Sequence, residues 1–269
     1  MGNLRACLAA LVLVPAVSAC GNSDNNTKVD APIHVIDAAI DAPPPIDAAP
    51  DAQTFNFACA GVPNATTTLA TTITVGGLAE TLNVTSLAPA PDVTVELFKT
   101  GNDTALDTVI SASDGSFSFA AQTTNGSALD LFIKGTKTGD RPNIVIPAAP
   151  LVADQPNVPV LALTTGTFST LVGLAQSHQT AGNGAIGLAV TDCLGTSIAG
   201  ATLSVKQGNT DVGDVFDVGS LAAQAKGTYF VFDIPPGDTT IIATVGTQVF
   251  RTRVITSVAD ATTTTQLLP

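Results

Sequence analysis

From about residue 60 onward, apolar and polar positions alternate in short runs punctuated by Gly, Pro, Asn and Asp. TTTLATTITV (66–75), VTVELF (93–98), SFSFAA (116–121) and LDLFIKG (129–135) read as strands. So do IGLAVTD (186–192), ATLSVKQ (201–207), GTYFVFDI (227–234), TTIIATV (239–245) and QVFRTRVI (248–255). Asp114-Gly115, between VISAS and SFSF, predicts a hairpin, because glycine accepts the positive φ of a tight turn. Pro235-Pro236-Gly237-Asp238 predicts a second turn, with φ preset by proline and the bend closed by glycine. One stretch departs from period two. TFSTLVGLAQSHQ (167–179) places Phe168, Leu171, Val172 and Ala175 at helical spacing, which predicts a short connecting helix.

The strand pattern repeats. DGSFSF followed by LDLFIKG parallels KGTYFVF followed by TTIIATV, with Gly115 against Gly227, and PDVTVELF parallels GATLSVKQ. Both offsets are about 110 residues, the mark of a domain duplication rather than a solenoid. Each copy is long enough to bury a single sandwich core.

The amino-terminal stretch follows other rules. Arg5 precedes the short apolar run CLAALVLVPAV (7–17), which ends on small residues in the manner of an export signal. It is too short to span a membrane, which takes about 20 apolar residues. Gly2 opens no myristoylation motif, because position 6 is Ala6 instead of Ser or Thr. Val17-Ser18-Ala19-Cys20 resembles the lipobox of bacterial lipoproteins. That resemblance implies loss of residues 1–19 and acylation of the Cys20 thiol, the acyl chains then holding the protein on the membrane. Gly21 in place of Asp implies, by the sorting rule for such proteins, the outer membrane. An ordinary secretory signal cut after Ala19 is the alternative.

Behind Cys20, the sequence VDAPIHVIDAAIDAPPPIDAAPDAQ spaces Asp30, Asp37, Asp41, Asp47 and Asp51 among Ala, Pro and Ile. It has neither helical nor strand period, and its prolines remove backbone donors, so residues 20–55 read as a disordered Pro/Asp/Ala tether. Cys7 leaves with the signal and Cys20 carries lipid, leaving Cys59 and Cys193. Two cysteines in an exported chain suggest a disulfide; two separately buried thiols are the alternative.

The second copy also resembles the carboxypeptidase regulatory-like domains, a group of transthyretin-like sandwiches. The residues that carry this are Asp192, Gly195, Gly200, Ala201, Gly227, Tyr229, Phe232, Ile234, Pro235, Pro236 and Gly237. The first copy departs from the pattern: Pro91-Asp92 replaces Gly-Ala, and no PPG follows SFSF. The resemblance implies a fold and no peptidase activity.

Composition narrows the function. A formal charge of −12 argues against nucleic acid, whose phosphates need Lys and Arg, and against electrostatic attachment to anionic lipid. Of the two histidines, His34 lies in the tether, where geometry is not fixed, and His178 has no HxxxH or HExxH partner. G-x-S-x-G, P-loop and dinucleotide motifs are missing, and Cys59 and Cys193 lack CxxC spacing. Asp103, Asp107 and Asp114 flank the predicted hairpin, but without a D-x-D-x-D-G run they read as turn formers and not as calcium ligands. With no Trp and only Tyr229, an aromatic platform for sugars is poorly supplied.

The sequence therefore predicts an all-β chain: lipoprotein signal peptide 1–19, disordered tether 20–55, first β-sandwich 60–165, helical connector 166–183 and carboxypeptidase regulatory-like sandwich 184–269. Both sandwiches are expected to be Ig-like or transthyretin-like. The expected role is a non-catalytic structural or protein-interaction module of the cell envelope, with no cofactor and no metal. Its expected partners are the membrane, through lipid on Cys20, and an envelope protein. A glycan- or peptidoglycan-binding lipoprotein and an accessory factor for a secreted hydrolase are the alternatives.

Overall fold

The computed structural model describes residues 54–61, 68–84 and 86–269. The signal peptide, Cys20, His34 and nearly all of the tether lie outside the described residues. What is described is a β protein of two lobes, each a pair of packed sheets, with one α-helix, Thr165–Leu174.

The two lobes use one pairing scheme. In the first, Val75–Asn83 pairs antiparallel with Ser116–Ser118 and parallel with Gln155–Thr164. In the second, Gly184–Val190 pairs antiparallel with Thr228–Ile234 and parallel with Thr262–Leu267. Thr94–Lys99 against Leu131–Thr136 matches Thr202–Gln207 against Gly237–Val245, both antiparallel. Asn143–Ile146 then flanks Leu131–Thr136 as Arg253–Ser257 flanks Gly237–Val245. The same glycine anchors each copy. Gly115 (φ 79°) accepts from the Ala79 N–H at 2.7 Å, and Gly227 (φ 77°) accepts from the Val190 N–H at 2.8 Å. A Cβ would come within 2.3 Å of the Ala79 carbonyl at Gly115, and within 2.8 Å of the Ile198 backbone at Gly227. Sterics and positive φ thus both demand glycine at these two points.

The lobes are not separate beads. Asn143–Ile146 of the first pairs in parallel with the carboxy-terminal strand Thr262–Leu267, which fuses four strands from each lobe into one eight-stranded sheet. Register places Val145, Thr264, Gly187 and Phe230 on one face of it. Ile146, Thr265, Leu188 and Tyr229 lie on the other. The first lobe's core, with Val95, Leu97, Ile133 and Val160, lies on the Val145 face. The second lobe's core, with Ile186, Leu188, Val231 and Ile241, lies on the opposite face. One sheet therefore serves two sandwiches from opposite sides.

A third core seals the joint. Phe230 and Phe232 stack at 5.6 Å and project away from the second lobe's own core. They are covered by Phe168 and Leu171 of the helix, by Leu163 and by the partly buried Leu82 of the first lobe. Thr164 caps the helix, its Oγ1 accepting from the Thr167 N–H at 3.0 Å. The helix stops at Leu174, short of the predicted 179, where Gln176 takes φ 53° and the N–H groups of Gln176 and Ser177 close on Gly173 and Val172 carbonyls.

Two turns do something other than expected. The Asp114-Gly115 turn does not join paired strands: Ala105–Ile110 belongs to the eight-stranded sheet and Ser116–Ser118 to the opposing one. The bond from Ala79 to the Gly115 carbonyl draws the turn across the sandwich, so it carries the chain between layers. Pro235-Pro236 does the same between Thr228–Ile234 and Gly237–Val245. The predicted strand 248–255 is split into Gln248–Val249 and Arg253–Ser257, because Phe250 turns inward and is 2% exposed.

Candidate functional site

The described chain, from residue 54, meets the second lobe before it enters the first. Phe55 and Phe57 pack against the second lobe's core, Phe57 edge-on to Phe250 at 6.3 Å. The Asn56 N–H donates to Asp192 Oδ2 at 3.0 Å, and the Cys193 N–H returns a bond to the Asn56 carbonyl at 2.9 Å. Cys59 and Cys193 form a disulfide with Cα atoms 5.6 Å apart. Asp192, 2% exposed, organises this joint. Its Oδ1 also accepts from the Leu194 and Thr196 N–H groups at 2.9 and 2.8 Å. Burial alone would raise its carboxyl pKa, but the Asn56, Thr196 and Leu194 N–H bonds outweigh that and hold it below the ordinary 3.8.

A second joint ties the connector to the same lobe. Asp233 takes φ 57°, and its carboxylate accepts from the Thr180 N–H at 2.7 Å and the Asn183 amide at 2.8 Å. His178 Nε2 lies 2.7 Å from Asp233 Oδ2, and Nδ1 lies 3.6 Å from Asp214. Gln179 Oε1 accepts from the Asp233 N–H at 3.1 Å. Burial would raise the Asp233 carboxyl; the Thr180 and Asn183 donors, with His178, take it below its ordinary value instead. His178 is three-quarters exposed, so its contacts with the two carboxylates are screened by solvent and add little to stability. Its carboxylate neighbours leave it as part of a clasp, with no nucleophile to activate: Ser177 Oγ donates to Asp214, not to the imidazole.

Polar staples cross between the lobes. Asn143, fully buried, donates to the Thr262 carbonyl and Thr264 Oγ1 while its Oδ1 accepts from the Leu161 N–H at 2.9 Å. Arg253 donates to the Pro147 and Ala148 carbonyls at 2.7 and 2.8 Å. Neither residue stands out in the sequence; the sole sign is a lone amide opening the apolar run NIVI.

The acidic loop residues serve their own turns. Asp114 Oδ1 accepts from Ser116 N–H and Oγ, and Asp107 accepts from the Thr108 and Ala120 N–H groups. Among the described residues no three of His, Cys, Asp and Glu gather as a metal site. Tyr229 is 2% exposed, its hydroxyl accepting from the Ala201 N–H at 2.8 Å. None of the eleven phenylalanines is exposed, so the surface of the described residues offers no aromatic platform. No described helix is long and apolar enough to cross a membrane.

No protein-family model and no curated protein matches the sequence. In structure, the chain is similar to GBS52, the minor pilin of Streptococcus agalactiae, at 11% identity and TM-score 0.25, covering 74% of this chain and 96% of that one. It is similar to the shaft pilin SpaA of Lactobacillus rhamnosus GG at 10% identity and TM-score 0.23, covering 76% and 98%. A streptococcal ancillary pilin gives 12% identity and TM-score 0.24, covering 74% and 62%. Identity and TM-score are both too low to transfer a role.

Proposed function

We propose that this chain is an exported, lipid-anchored envelope module: Cys20 carries the lipid, residues 20–55 form the spacer, and the fused two-lobed body is a non-catalytic structure that presents a surface to an envelope protein. The observation that carries this reading is the joint at Asp192–Cys193. A chain segment that only linked a signal to a domain would need no lock, whereas here the end of the tether is fixed by a disulfide, a buried carboxylate and two phenylalanines. The inward aromatics and the engaged carboxylates around His178 support a structural role over glycan binding or catalysis.

The reading has two tests in a bacterial host expressing the full-length chain. Metabolic labelling with a palmitate analogue should label the native chain and not Cys20→Ala, which should leave the membrane fraction. An unlabelled native chain would overturn the anchor. In-cell crosslinking followed by mass spectrometry should return one dominant protein partner; recovery free of protein partners would overturn the interaction role.

A further inference from the structure

A cavity of about 390 Å³ opens beside the lobe junction, at the small end of the range typical of ligand sites. Its lining includes Arg141 from a short first-lobe strand, Phe168, Ser169 and Val172 of the helix, Thr180 of the connector and Asp260 from the turn before the carboxy-terminal strand. None of these residues serves the tether joint.

The cation is unusual. The Arg141 guanidinium sits over the Phe168 ring, 4.0 Å from the ring centroid, and is half-buried. Its protein bonds are poor for so costly a group: Nη2 reaches the Ala261 and Asn183 carbonyls at 3.3 and 3.5 Å, and Nε is buried without a partner. Among the described residues no carboxylate lies within 4.0 Å of it. A planar guanidinium short of acceptors is matched by a carboxylate. Burial lowers the Arg141 pKa, and the charge of Asp260 partly counters this.

Asp260 supplies the opposite charge. It is held at φ 53°, with Oδ1 accepting from the Gly182 N–H at 3.1 Å. A simple anion at Arg141 would meet Asp260, and a simple cation at Asp260 would meet Arg141. A ligand carrying both charges meets neither repulsion. We infer that this cavity binds a small zwitterion of amino-acid size, its carboxylate on Arg141, its ammonium on Asp260 and an apolar side chain along Val172. Hydroxyls of Ser169 and Thr180 complete the polar rim. This site stands apart from the anchoring role and does not depend on it.

The test is calorimetric titration of the full-length protein in detergent with L-alanine, L-leucine and L-phenylalanine, alongside N-acetyl-L-leucine and L-leucinamide. Saturable binding of leucine is expected, weakened at least about tenfold when either charge is blocked. Ser169→Trp, at an exposed helix position, should fill the cavity and abolish binding with the melting temperature unchanged. Arg141→Lys should weaken it about tenfold, because an ammonium cannot replace the planar fork. The inference is overturned if none of the three amino acids binds up to roughly 10 mM. It is equally overturned if blocked analogues bind as well as leucine, or if Ser169→Trp binds like the native chain.

Discussion

Two strands that occupy the same place in the two lobes differ at alternate positions. In the first lobe Phe117 points inward, and Ser118 and Ala120 point to solvent. In the second, Tyr229 points inward, and Phe230 and Phe232 take the outward places. Period two means that this change leaves the inner face untouched and turns the outer face apolar. An exposed pair of phenylalanines has to be covered, and the helix with Leu163 and Leu82 covers it. The same repeat is thus a free-standing outer face in one copy and the seat of an interface in the other. The lobes are joined by backbone pairing through the shared sheet, and the covering of that joint is written in side chains.

The comparison is broken most strongly at Phe232. It is fully buried between Phe230 and Phe168, and Phe232→Ala should cost about 3–5 kcal/mol in denaturant unfolding. The counterpart change Ala120→Phe, on the exposed face, should move stability by less than about 0.5 kcal/mol. A comparable loss at both sites would sink the account of the joint. Next comes the disulfide. Cys193→Ser should lower stability by about 2–4 kcal/mol, since the bridge closes a 134-residue separation, and added reductant should then have no further effect. The two glycines sharpen the symmetry: Gly115→Ala and Gly227→Ala should each cost about 2 kcal/mol, because both copies ask for positive φ at the same point. The smallest effect is pH-dependent. The folded Asp192 carboxyl lies below 3.8, so the stability it contributes is present above that value and lost as pH falls through its lowered folded value. Asp192→Asn should reduce the acid-induced loss between pH 3.8 and lower values, read from melting curves across that range.

The alternating runs announce most strands, and the two glycines mark the repeat. What the pattern did not announce is the strand that joins the lobes. TTTTQL (262–267) shows no apolar alternation, yet Thr262, Thr263 and Thr265 are buried and Thr265 Oγ1 donates to the Ile146 carbonyl at 2.7 Å. Threonine suits a central strand through its β-branch while its hydroxyl returns to the backbone, so hydropathy alone misses it. NIVI (143–146) is bounded by prolines and too short to stand out. The clasp around Asp233 was equally hidden, because it needs a loop and a strand end that come together only after folding.

The bridge from Cys59 to Cys193 also decides how the molecule carries a load. Tension drawn along the chain from its amino-terminal side reaches Cys59 and crosses at once to the second lobe, leaving everything between the two cysteines in a closed covalent loop. For a pull resisted by the second lobe, the first lobe lies off the covalent line of force, although its sheet is continuous with that of the second. It cannot be unravelled from the amino-terminal side unless the sulfurs are first parted.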